Sequence, residues 1–315
     1  MATVRVTDAL LRRLCDINQF EIPKDVEMIF FGIRGSLPFN TENYKFEDSR
    51  TIRMTEINYT SFNCTIGQWM PKTGKLTVFA GSTVPGLKNI QGAMKKGGEG
   101  TNQMIPGFYT DIKKGWHQGG QAKFGHEAFR QQEERPVRRT ANDAQYDDND
   151  LITYEVQHDN VHSGFRKSVD DNINATHGCQ VLMGLPKCEV YSAFGPWKAF
   201  KDAGYAAKQD YFPYLLLNSR DFLRVYEKFD DPHARKLRYG STGELVKKLQ
   251  KVLIDKKLDA KETVKITETG KIDIPTFKAI IALQKQNKEV ADGIVGKGTA
   301  ALLGLDLGDS TPLKK

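Results

Sequence analysis

Cys179 and His162 are the residues of this 315-residue chain whose types and spacing best fit a chemical role. A strand-like run, Tyr154-Glu155-Val156-Gln157, leads to His162. Cys179 follows seventeen residues after that histidine, inside the tight turn Thr176-His177-Gly178-Cys179-Gln180. That is enough chain to leave a sheet, loop and return, so the two can meet. A free thiol, with a pKa of about 8.5, is only a few per cent thiolate at neutral pH and needs a neighbouring base or cation. An imidazole is one such base. His158, four residues before His162, is the rival base. His177 reads equally as a catalytic group and as one that fixes the turn. Gly178 permits close backbone approach in the turn.

The elements that must position this pair are mostly strands. Thr7 to Phe20 predicts a helix, with Leu10, Leu11, Leu14 and Ile17 on one face and Thr7 as N-cap. Residues 26–31 are strand-like and run into Gly32-Ile33-Arg34-Gly35. That glycine-flanked arginine is either part of a plain turn or a guanidinium aimed at a carboxylate. Residues 65–70 and 75–80 flank Pro71-Lys72-Thr73-Gly74 and predict a hairpin. Gly86 to Asn102 reads as a mobile glycine- and lysine-rich loop without the phosphate-cradling spacing of a P-loop. The charged run Gln131 to Asp150 reads as a solvated excursion. Residues 211–217 predict a closing strand, and Ser219 the N-cap of a short helix.

Composition limits the rest. Net charge is +7, and from residue 236 onward 16 Lys and Arg stand against 10 Asp and Glu. The basic excess is thus concentrated at the C-terminal end, which suits an anionic partner. No nucleic-acid-binding motif accompanies it. The four cysteines, at 15, 64, 179 and 188, form no CxxC pair and no evident disulfide framework. His162, His177, Cys179 and Cys188 lack zinc-finger spacing. No metal and no cofactor is therefore expected. Residues 1–20 carry no apolar run of signal-peptide length, and no segment approaches a membrane span. The expectation is synthesis in the cytoplasm; if the chain works outside, something other than a standard signal carries it there.

The C-terminal end contains two similar half-units. Leu245, Val246, Leu249, Val252 and Leu253 line one helix. About 34 residues on, Phe277, Ile280, Ile281 and Leu283 line another, and Leu249-Gln250 is echoed by Leu283-Gln284. The opening Leu237-Arg238-Tyr239-Gly240-Ser241-Thr242-Gly243, both Leu-Gln pairs and the closing Asp292-Gly293-Ile294-Val295-Gly296 resemble the type 1 peptidoglycan-binding domain family. The resemblance covers 237–305 and implies a small three-helix wall-binding module that raises the local concentration of substrate for an attached domain. The middle departs from the family pattern, with Glu268-Thr269-Gly270-Lys271-Ile272-Asp273 in place of a second Asp-Gly-x-Phe-Gly.

The central stretch resembles the L,D-transpeptidase catalytic domains, above all a phage and secreted-effector branch. Thr176-His177-Gly178-Cys179 matches the family's Ser/Thr-His-Gly-Cys signature, His162 its histidine, and Arg34-Gly35, His162-Ser163-Gly164 and Gly178-Cys179-Gln180 the branch's three short motifs. The resemblance implies an α+β chain. A mainly-β catalytic domain (1–226) is followed by a linker (227–236), the three-helix module (237–305) and a tail (306–315). It implies that Cys179 attacks a stem-peptide carbonyl with His162 as base, and that Gly178 and Ser163 belong to the catalytic group. Thr176 and Gln180 would contact substrate. The family's arginine two residues after the cysteine is Val181 here, so Arg34 or Arg166 would seat the peptide instead. Peptidoglycan is the implied partner, joined by an immunity protein or secretion machinery if the chain is a lytic or antibacterial effector. The other reading is a non-catalytic wall-binding or phage structural protein.

Overall fold

The computed structural model describes residues 2–119, 123–140, 143–169, 176–258 and 265–312. In chain order the elements are β1 (Thr3–Thr7), α1 (Asp8–Ile17), β2 (Ile29–Arg34), β3 (Ser36–Pro38), β4 (Ser49–Met54), β5 (Cys64–Met70) and β6 (Lys75–Ser82). There follow α2 (Leu87–Lys96), β7 (Thr101–Met104), β8 (Gly107–His117), β9 (His126–Arg130), β10 (Arg135–Thr140), β11 (Leu151–Glu155), β12 (Val161–Ser163) and β13 (Gln180–Leu182). The last are α3 (Gly195–Ala206), β14 (Tyr211–Asn218), α4 (Ser219–Glu227), α5 (Glu244–Asp255), α6 (Ile274–Gln286) and α7 (Lys297–Leu303). The chain is α+β, and its N-terminal part is mainly β.

Eight strands close a barrel in the order β12-β13-β6-β5-β2-β14-β8-β9. Two contacts in it are parallel, β12 with β13 and β14 with β2. Strand alternation builds two apolar layers from one set of strands. On β2, Ile29, Phe31 and Ile33 join a cluster under α1 and α4, while Phe30 joins Phe129, Phe200 and Phe212 in a second cluster that includes α3. Phe30 stacks on Phe212 at 4.5 Å and meets Phe129 edge-on at 4.9 Å. The α1 helix forms as its pattern predicts: Thr7 accepts from the Leu10 N–H at 3.2 Å, and Leu10, Leu11, Leu14 and Ile17 are buried. The hairpin expected at 65–80 is β5 paired with β6.

Several elements differ from the sequence expectation. The loop expected over 86–102 contains α2, an amphipathic helix anchored by buried Ile90, so its glycines punctuate a helix rather than prevent one. The α4 helix starts one residue earlier than expected: Asn218, not Ser219, holds the N-cap position. The charged run expected to be solvated supplies β10, the middle strand of a three-stranded sheet ordered β11-β10-β7. Arg135 there is 1% exposed and grips Asp111 through both carboxylate oxygens, at 2.7 and 2.6 Å, with its guanidinium 4.8 Å from the Tyr109 ring. Composition gives the number of charges but not their pairing, and pairing is what allows them to be buried.

Segment 227–236, expected as a linker, is packed rather than extended. Arg13 donates to the carbonyls of Phe229 (2.9 Å) and Asp231 (3.1 Å), and the Lys236 N–H reaches Ile17 O at 2.9 Å. The C-terminal unit then docks directly on the N-terminal part through its loops. Ser241 donates to Asn18 O at 2.6 Å, Phe108 N–H to Tyr239 O at 3.0 Å and Arg138 to Ala291 O at 2.8 Å. Gly240 has φ +87°, and a Cβ there would overlap the Phe108 carbonyl, so the close approach requires glycine. Asp221 of α4 bridges Lys236 (3.0 Å) and buried Arg238 (3.1 Å).

Within the C-terminal unit the two Leu-Gln echoes have the same job. Gln250 accepts from the Gly270 N–H (2.9 Å) and donates to Lys271 O and Thr276. Gln284 accepts from the Gly293 N–H (2.9 Å) and donates to Ile294 O and Asp292. Each buried amide clamps the glycine turn that follows its helix. The altered middle, Glu268 to Asp273, therefore keeps the turn through Gly270, which has φ +71° against +74° for Gly293.

Candidate active site

β12 and β13 run side by side, with His162 in register with Val181, two residues past Cys179. This parallel pairing brings the histidine and the cysteine together. The turn before β13 is held from several sides. The Thr176 hydroxyl accepts from Gly178 N–H (3.2 Å) and donates to Cys179 O (3.1 Å). Gln180, fully buried, donates to Gly178 O (3.0 Å) and accepts from the Tyr214 hydroxyl (3.0 Å), while its N–H reaches Asn160 O (2.9 Å). Beneath the turn, Asn102 donates to both oxygens of buried Asp159, at 2.7 and 2.6 Å. A Cβ on Gly178 would collide with both side chains, so the turn sits directly on this pair.

Two further histidines complete the cluster. His117 ends β8, His126 begins β9, and the two face each other across the hairpin. The His117 ring stacks on His162 with centroids 3.8 Å apart and planes 12° apart, and His126 lies 5.5 Å from each. One ring nitrogen each of His117 and His162 and the Cys179 sulfur lie within 4.8 Å of one another. A metal ion binds in the plane of each imidazole that holds it. Two stacked, nearly parallel rings do not direct their lone pairs to one point, so this arrangement suits proton movement better than metal capture. Asn160 fixes one tautomer. Its Oδ1 accepts from Gln131 N–H (3.1 Å), so its Nδ2 donates to His117 Nδ1 (3.1 Å), and neutral His117 carries its proton on Nε2.

The electrostatics keep the thiol and the buried imidazoles neutral at rest. Burial pushes His162 well below the ordinary histidine range, with the neighbouring His117 and His126 acting the same way. Burial also lowers His117 to about 4, helped by His126 and Arg130. Cys179 keeps part of its surface open, yet desolvation and the charge of Asp159 push its thiol up to about 12. Backbone N–H groups of Asn160 and Cys179 and the Thr176 hydroxyl act in the opposite direction. Asp159 itself is raised by burial to about 6, against the pull of its Asn102 hydrogen bonds. The Cys179 thiol donates to His158 O at 3.4 Å.

The other expected site residues are spread around this centre. His158 is exposed, with φ +57°, and lines an open pocket of about 510 Å³ together with Trp116, His117, Arg130 and Asn160. His177 is exposed, and its carbonyl accepts from Asn102 N–H at 3.4 Å. Ser163 points away from the cysteine: it is fully buried, and its hydroxyl donates to Gly184 O at 2.8 Å. Thr176 and Gln180 shape the turn from within. Arg166 is partly buried and pairs through its backbone with Gly184. Arg34 is 1% exposed and donates to Thr83 Oγ1, Thr83 O and Met104 O, so its guanidinium is enclosed in the barrel rather than presented to a cleft. Sequence reasoning missed His117, His126, Asp159, Asn160 and Arg130. A signal existed for the first two: a histidine on each side of a glycine-rich turn is a cross-strand pair if the segment is a hairpin.

Comparison with known proteins bears on the other end of the chain. Residues 242–303 match the family model of the putative peptidoglycan binding domain. The chain thus carries a C-terminal peptidoglycan-binding domain, built on α5, α6, α7 and the two glutamine clamps, and this associates it with the cell wall. No curated protein and no solved structure matches the chain.

Proposed function

We propose that the protein is a peptidoglycan-modifying cysteine enzyme of the L,D-transpeptidase or L,D-carboxypeptidase type. The observation that carries this reading is the meeting of Cys179 and His162 beside an open pocket, on a chain that also holds a peptidoglycan-binding domain. Cys179 attacks a stem-peptide carbonyl as His162 takes the thiol proton. A thioester forms, the peptide C–N bond breaks, and the amine leaves with the proton that His162 returns. A second amine or water then attacks the thioester, releasing the product and restoring the thiol. Because the thiol and the imidazole are both neutral at rest, proton transfer accompanies attack, as in a hydroxyl nucleophile paired with a base. The backbone at Asn160 and Cys179 and the Thr176 side chain lower the cost of a thiolate against burial.

The same reading makes the chain a lytic or antibacterial effector, with an immunity protein or secretion machinery as further partners. The test is mass spectrometry of muropeptides from sacculi incubated with the wild type, with Cys179→Ala, and with wild type plus a free D-amino acid. Trimmed tetrapeptides in the wild type alone indicate a carboxypeptidase. Incorporated D-amino acid or new cross-links indicate a transpeptidase. Unchanged muropeptides with intact sacculus binding would leave a non-catalytic wall-binding protein, a reading favoured by the raised thiol pKa at rest.

A further inference from the structure

Arg130, the last residue of β9, lies beside this centre and has no counter-ion among the described residues. Among the described residues no carboxylate comes within ion-pair distance of it, although Glu127 on the same strand pairs with Lys201 at 2.9 Å. Its Nε is buried and makes no hydrogen bond. An unpaired guanidinium with a buried donor is costly unless a ligand completes it. The side chain is also positioned. Its aliphatic stem lies across Gly115 of β8, where a Cβ would stand 2.9 Å from Arg130 Cδ. Arg130 lines the pocket together with Trp116, His117, His158 and Asn160, and among the described residues that line it none is acidic. His117, which lines the pocket, places a ring nitrogen within 4.8 Å of the Cys179 sulfur and so links the two.

We infer that Arg130 anchors the free C-terminal carboxylate of a peptide whose penultimate carbonyl lies at Cys179. This deepens the proposed function and rests on it for the step that follows binding. A carboxylate is the ligand that a planar guanidinium recognises through paired N–H donors. One residue of extended chain spans about 3.5 Å, the scale that separates a terminal carboxylate from the preceding carbonyl. The exposed Trp116 face, 55% accessible, supplies an apolar wall for the terminal side chain. The substrate class is therefore a peptide with an unblocked terminal residue, and a peptide amidated at its end is excluded.

The test separates binding from turnover. Full-length Cys179→Ala protein is titrated by NMR with Nα,Nε-diacetyl-L-lysyl-D-alanine and with its C-terminal amide. The acid is expected to bind about 10- to 100-fold more tightly than the amide. In the Cys179→Ala/Arg130→Gln protein that preference disappears while the affinity for the amide is unchanged. Arg130→Lys, which keeps the charge, retains part of the preference and guards against a fold defect in the glutamine variant. Equal affinity for acid and amide in Cys179→Ala overturns the inference, as does an undiminished preference in the Arg130→Gln protein. A wild type that turns over neither peptide while the preference and its Arg130 dependence hold retires the enzyme reading and leaves the carboxylate site standing.

Discussion

The two glutamine clamps of the C-terminal domain and the histidine–cysteine centre of the barrel treat buried polar groups in opposite ways. Gln250 and Gln284 each use both ends of the amide, one on a glycine N–H and the other on neighbouring oxygens. In the barrel, His162 Nδ1, His126 Nε2 and Arg130 Nε are buried and make no hydrogen bond. Satisfied networks hold a shape, and buried polar groups without partners call for an explanation, of which a ligand is one. The comparison separates the part of the molecule that holds a surface from the part positioned to react.

Substitutions can break or sharpen that contrast. The largest effect is expected at His162→Leu: turnover of sacculi falls by about 10²- to 10⁴-fold, while sacculus binding in a pull-down is unchanged. Equal loss of both would dissolve the distinction. The next largest falls on the seam between the two units. Burial alone would raise Asp221, but Arg238 and Lys236 hold it well below the usual carboxylate range. A depressed carboxylate stabilises the fold above its unfolded pKa, and this contribution is lost as the pH falls through the folded value. Asp221→Ala leaves Arg238 buried and unpaired and is expected to cost about 3–5 kcal/mol in urea unfolding at neutral pH. A cost below about 1 kcal/mol would mean that the seam does not depend on this pair.

Asp159 has the opposite sign. Its folded pKa is raised to about 6, so the folded state holds a proton that the unfolded chain has released. Stability should therefore fall as pH rises from about 4 to about 6, by about 3 kcal/mol relative to Asp159→Asn. Urea unfolding of both proteins at pH 4 and 7 checks it, and a constant difference would show that folding does not shift the Asp159 pKa. The smallest effect belongs to a clamp. Gln284→Leu should cost about 1–3 kcal/mol by leaving the Gly293 N–H without its partner, with turnover per folded molecule unchanged.

What could be read in the sequence divides along the same line. The C-terminal domain was legible because its polar clamps are local: each glutamine acts on a turn shortly after its own helix, so repeat, spacing and function fall in one stretch. The Cys179–His162 pairing was legible for the same reason, as His162 lies on β12 and Cys179 immediately before the neighbouring strand β13. Asp111 with Arg135, Asn102 with Asp159 and Asn160 with His117 are contacts over 24, 57 and 43 residues, and no local pattern encodes them. Arg34 shows the reverse error. Its glycine-flanked position suggested a displayed guanidinium, but barrel closure turned it inward onto Thr83 and Met104. Residues 227–236 look like a linker by composition and are packed because Arg13, far away in sequence, takes their carbonyls.

The central claim is that Cys179 forms a thioester with a stem peptide. The most direct measurement is intact-protein mass spectrometry of the chain quenched in acid after seconds of contact with a stem tetrapeptide. The account predicts a mass increase equal to the acyl tripeptide, mapped to Cys179 and absent from Cys179→Ala. No adduct on wild type at any time point, with the peptide recovered intact, would contradict it.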